Sequence, residues 1–126
     1  MKKLTLLLFV LLAITFSVKA QTTNKLADAQ NLWAQYNAGS PADTSLFAQM
    51  HSDYSTVLSS DSTNAPANLG LGDLFNTLAN YWTNMAAPLE TSNPTLFSTY
   101  SAKADNYTAL ASPYLQRYLQ LTGVTH

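Results

Sequence analysis

The sequence predicts an all-α protein: about four helices in two antiparallel hairpins, packed as a bundle or as a stack of helix pairs. Three observations predict it. Apolar and aromatic residues recur at every third or fourth position through most of the chain, which is the period of one helix face. A capping residue is followed by proline at Ser40-Pro41, Asn93-Pro94 and Ser112-Pro113, and proline at the first helical position sacrifices no hydrogen bond. No segment alternates apolar and polar residues as a half-buried strand does.

The first twenty residues are read apart from the fold. Lys2 and Lys3 precede an apolar run over residues 4–18, and Val18-Lys19-Ala20 sets small side chains where a signal peptidase reads. This is the layout of a secretory signal peptide. The run of about 15 residues is shorter than the roughly 20 a membrane-spanning helix needs. The expected mature chain is therefore residues 21–126, a single helical domain with no membrane span, exported to the periplasm or the medium.

The first helix is expected over residues 24–38, where Leu26, Ala29, Trp33 and Tyr36 share a face and Gly39 ends it. Ser40, Pro41 and Asp43 then read as the start of a second helix reaching Leu58, with Phe47, Met50, Tyr54 and Val57 inward. The polar run 59–64, SSDSTN, is a turn. A third helix starts near Ala65-Pro66 and carries the widest apolar face: Leu71, Leu74, Phe75, Leu78, Trp82 and Met85. Gly72 lies on that face, where close approach of a neighbouring helix compensates its low helix propensity. Pro88 and residues 89–92 break the chain. Asn93-Pro94 opens a fourth helix whose stripe is Phe97, Tyr100, Ala104, Tyr107, Ala111, Tyr114, Tyr118 and Leu121. The stripe keeps phase across Pro113, so one kinked helix is expected rather than two. Thr122-Gly123 is the stop.

Composition removes several functions. Beyond residue 20 the basic residues are Lys25, Lys103 and Arg117, against seven acids, a net charge of −4. Three scattered cations do not track a line of phosphates, which disfavours nucleic acid and anionic membrane surfaces as partners. Cysteine is absent, which excludes disulfides, thiolate catalysis, sulfur-bound metals and lipid attachment at a signal-junction cysteine. Forty Ser, Thr, Asn and Gln residues supply the polar surface instead.

From Met50 to Phe75 the chain resembles a tetratricopeptide-repeat junction. Met50, Tyr54 and Val57, the polar turn, then Leu71-Gly72 and Phe75 stand in that family's register without a gap. Trp33 and Tyr36 are similar to the aromatic start of such a repeat, and Ala111 with Leu115 resembles a second-helix signature. The chain departs from the pattern at Asn68, where the family prefers a bulky residue, and at Ser62, where it prefers proline. The Lys-Ala-Gln after the apolar leader looks like exported proteins of the Bacteroidota. These resemblances imply stacked helix hairpins and partner binding rather than catalysis.

Catalytic groups are few. His51 and Asp53 are two residues apart, about 200° around a helix, and cannot share a ligand. His51 reads as a structural residue at the edge of an apolar face. His126 is terminal. Haem ligation by His51 with Met50 or Met85 lacks a covalent attachment motif, and no cofactor, metal or enzymatic activity is expected. The sequon at Asn106-Tyr107-Thr108 falls in mid-helix and reads as chance.

The four tyrosines of the last helix remain open to two readings. They are an inner face whose hydroxyls reach the rim, or some line a groove with Trp82 or Trp33. The candidate groove residues are Trp33, Tyr54, Trp82, Tyr107, Tyr114 and Tyr118, with Tyr114 and Tyr118 expected to be the exposed pair. The leading expectation is a non-enzymatic module that binds a protein or peptide. The alternative is a carrier for a small apolar ligand in a cavity among Trp33, Tyr54, Phe75, Trp82 and Tyr107.

Overall fold

A computed structural model describes residues 22–38 and 45–124. The leader, the Gly39 stop, the Ser40-Pro41-Asp43 helix start and His126 lie outside the described residues. The described residues are mostly helical, with no strand among them. The elements are α1 (22–38), α2 (Leu46–Ser60), α3 (Ala65–Ala86), a 3-10 turn (Ala87–Leu89) and α4 (Pro94–Thr122). The chain divides into two compact units, Met1–Ser62 and Thr63–His126.

In the first unit α1 and α2 run antiparallel. Lys25 pairs with Asp53, and Trp33 and Tyr36 meet Phe47, so position falls along α2 as it rises along α1. The described helix reaches back to residue 22, two residues before the expected start. The described part of α2 begins at Leu46, later than Pro41. Ser45 precedes it without a side-chain cap bond. The expected inward face of α2 is buried: Phe47, Met50, Tyr54 and Val57.

In the second unit α3 and α4 form a long antiparallel hairpin. Asn64 caps α3, its side-chain oxygen accepting from Ala67 N at 2.9 Å, with Pro66 in the first turn. Asn93 caps α4 in the same way, accepting from Leu96 N at 3.2 Å. Each cap satisfies one donor that the helix itself leaves free. α4 ends where Gly123 adopts φ 71°, and its N–H donates to the Leu119 carbonyl at 2.7 Å. Pro113 sits inside α4, which remains one helix of 29 residues. Proline has no N–H for the Ala109 carbonyl one turn back.

The hairpin closes because its seam is made of small residues. Ala104 and Ala111 are the buried residues of α4, and Ala79, Ala86 and Gly72 are buried on α3. A Cβ at Gly72 would stand 2.5 Å from Leu115 Cδ2 and 2.7 Å from Cγ. Leu115 therefore fills the space that glycine leaves. α3 carries nine buried residues and α4 only two, so α3 is the core helix, as its wide apolar face predicts. One expected face residue departs: Met85 is 41% exposed. It follows Tyr81 by four positions, about 40° around the helix, and Tyr81 is 38% exposed. Met85 belongs to that outer line.

Candidate functional site

The hairpin seam divides α4 into two flanks. Relative to the Ala104–Ala111 line, Tyr100, Tyr107, Tyr114 and Tyr118 project to one side by about 40–80°, and Thr108, Ser112, Leu115 and Leu119 to the other. All four tyrosines are half-buried. Alanines take the buried line, and the rings lie along its edge.

The rings gather in two clusters. Trp82 and Tyr100 stand 5.0 Å apart, and Tyr81 meets Trp82 edge-on at 5.2 Å. Two turns along α3, Phe75 contacts both Tyr107 at 6.2 Å and Tyr114 at 5.9 Å. These separations lie within the range of favourable ring pairs, each worth about 0.5–1.5 kcal/mol beyond burial. Lys103 lies over the Trp82 ring at 4.1 Å. Of the expected groove residues, this flank joins Trp82, Tyr107, Tyr114 and Tyr118 on one hairpin. Tyr114 and Tyr118, expected to be the exposed pair, are half-buried like Tyr100 and Tyr107.

The other flank of the hairpin holds an open groove of about 300 Å³ lined by Asn76, Thr108, Ala111, Ser112, Leu115, Gln116 and Leu119. Its polar side chains are partly committed. Thr108 Oγ1 donates to the Ala104 carbonyl at 3.0 Å, and Gln116 Nε2 to Ser112 Oγ at 3.3 Å. The same habit recurs elsewhere: Thr56, Thr77, Thr83, Thr99 and Thr122 each return the hydroxyl to the carbonyl four residues back. Such hydroxyls are spent on their own helix.

Trp33 and Tyr54 belong to the first unit. Trp33 is half-buried and packs edge-on with Tyr36 at 5.8 Å and beside Phe47 at 6.5 Å. Tyr54 is 2% exposed, so it contributes to a core rather than a surface. The expected carrier residues are likewise divided, Trp33 and Tyr54 in one unit and Phe75, Trp82 and Tyr107 in the other.

Sequence reasoning weighs Asp53 only beside His51 and does not foresee its burial or its pairing with Lys25. Asp53 is 2% exposed, accepts from Gln49 Nε2 at 2.9 Å and pairs with Lys25 Nζ at 3.6 Å, both on Oδ1. An open groove of about 300 Å³ beside it is lined by Asp28, Asn31, Leu32, Gln35, Gln49 and Asp53. The signal was present: Asp53 lies three residues after Met50 and four before Val57, at the edge of the inward stripe. His51 is exposed, on the other side of α2 from Asp53, as their spacing predicts.

Among the described residues, no group of three or more His, Cys, Asp or Glu side chains could hold a metal ion. Nor, among them, is any helix long and apolar enough to cross a membrane. No protein-family model matches the chain, and no curated protein and no solved structure matches it either.

Proposed function

We propose that the protein is an exported, non-enzymatic interaction module that holds a protein or peptide partner on the aromatic flank of the α3–α4 hairpin. One observation carries this reading: Tyr100, Tyr107, Tyr114 and Tyr118 lie half-buried along one edge of the hairpin, where Trp82 meets Tyr100 and Phe75 meets Tyr107 and Tyr114. The rings help to hold the two helices together, and each still keeps part of its surface open. Half-exposed tyrosines offer large, stiff, amphipathic area, the kind that anchors protein interfaces. Recognition rests on shape and on hydroxyl and amide hydrogen bonds, because few charges are present to steer a partner.

Export is supported by the leader sequence, and a loose tetratricopeptide character by the junction residues Leu71, Gly72 and Phe75. In that reading Gly72 is kept small for helix contact, in keeping with Leu115 lying against it.

A photo-crosslinking phenylalanine analogue placed at Tyr114 or Tyr118, in the native host, tests the proposal. A discrete protein adduct is expected from both sites and not from the exposed control position Ala102. Equal adducts from all three, or none, contradict it. A co-purified small molecule in native mass spectrometry, with no protein adduct, supports the carrier instead.

A further inference from the structure

We propose that Trp82 and Tyr100 form a binding site for a quaternary ammonium group, and that Lys103 is the internal cation such a ligand displaces. The Lys103 ammonium stands 4.1 Å from the Trp82 ring centre and 6.0 Å from that of Tyr100. Those two rings are inclined at 53°, so they converge on one cation. Tyr81 packs edge-on against Trp82 at 84° from the outer side of α3 and braces that ring. Ring faces carry negative charge density and attract a cation within about 6 Å. The chain's own ammonium thus marks the position that a ligand cation takes.

The site is open. Trp82 and Tyr100 are half-buried, and Lys103 is exposed. Access is controlled by a flexible four-carbon stem, which swings aside without any change in the helices. The identity of the ligand follows from the competition. Lys103 is tethered, so it presents its ammonium at a high effective concentration. A free primary amine offers the rings nothing that Lys103 does not. A lysine ammonium is also strongly hydrated and holds its water. A trimethylammonium group is less hydrated, and it presents methyl groups to the rings while keeping the charge, so it gains dispersion and electrostatic attraction together.

A free choline-like molecule and a trimethylated lysine on a peptide share this chemistry. The site goes beyond partner binding by the tyrosines of α4, and its test does not depend on a partner.

With Trp33→Phe as background, Trp82 is the only indole in the protein. Choline and a short peptide bearing trimethyl-lysine are titrated at constant ionic strength while Trp82 emission is followed. A saturable change is expected, and the tighter of the two probes identifies the source. Neutral 3,3-dimethylbutan-1-ol, which has the same shape without the charge, binds at least roughly two- to fivefold more weakly, the factor of an exposed cation–π contact. Lys103→Ala tightens choline by a similar factor because it removes the competitor, and Tyr100→Leu weakens it. Should Tyr100→Leu lose helicity by circular dichroism, Tyr100→Gln takes its place. Absence of a saturable change, equal affinity for the neutral alcohol, or unchanged affinity in Lys103→Ala overturns the proposal.

Discussion

The two hairpins are the same motif closed by different means. α1 and α2 meet through a ring cluster of Trp33, Tyr36 and Phe47 and through Lys25 reaching the buried Asp53. α3 and α4 meet along alanines and a glycine, with Leu115 set against Gly72. A small-residue seam brings helix axes close and leaves large side chains at its edges. This is why the second hairpin displays its half-buried rings along the edge of the seam. The difference teaches that the aromatic row is a consequence of where the alanines lie, and that shape sets one seam while charge sets part of the other.

The largest expected effect breaks the second seam. Gly72→Val places a branched side chain where a single Cβ already stands 2.5 Å from Leu115 Cδ2. Overpacking of this kind typically costs about 1–3 kcal/mol, and the upper end is expected here. Gly72→Ala costs less, because moving the Leu115 side-chain tip relieves part of the clash and alanine raises helix propensity by about 1 kcal/mol. Combining Gly72→Val with Leu115→Ala recovers part of the loss in a double-mutant cycle followed by urea denaturation, since the two residues share one space. Additive losses would place the damage elsewhere.

The next effect tests the charged seam, and its asymmetry is the informative part. Lys25→Met leaves the Asp53 carboxylate buried with only Gln49 among its two contacts, and about 2 kcal/mol of destabilisation is expected. That is below the usual cost of breaking a buried pair, because Lys25 is itself 36% exposed and partly screened. Asp53→Asn removes the buried charge, and the freed ammonium returns to water, so about 1 kcal/mol is expected. Chemical denaturation of both variants decides it. A larger loss in Asp53→Asn would mean that attraction outweighs desolvation at this site.

Pro113→Ala is expected to act in the opposite direction. It restores the N–H that the Ala109 carbonyl lacks, while giving the unfolded chain more freedom, for a net gain of about 1 kcal/mol seen as a raised thermal midpoint. A loss would show that the proline shapes α4 in a way the tyrosine row needs.

The smallest effects concern the caps. Asn64→Ala is expected to cost about 1 kcal/mol, and Asn93→Ala less, since its cap bond is longer and exposed. Equal losses would contradict that ranking.

Much of this fold was legible in the sequence for local reasons. Asn93-Pro94 and Thr122-Gly123 bound α4 because caps and stops act through the nearest turn. The stripe from Phe47 to Val57 identified the buried face of α2 because burial follows helical period. Depth was not legible. Periodicity put Ala104 and Tyr107 on one side of α4, but only the width of the seam decides that alanine is buried and tyrosine half-exposed. The Asp53–Lys25 pair was not legible either: its partners lie 28 positions apart on two helices, and spacing within one helix says nothing about pairing between two. Met85 was assigned to the wrong line because a face as wide as that of α3 leaves its edges ambiguous to about one residue's turn.

The most direct test of the central claim separates holding the fold from holding a partner. Tyr114→Ser and Tyr118→Ser are made together in the native host, with the crosslinker moved to Tyr107. The account predicts a helical protein, destabilised by no more than about 1–3 kcal/mol, whose adduct falls at least tenfold. A chain that loses its helicity, or one that keeps its adduct undiminished, would contradict the claim that these tyrosines serve recognition.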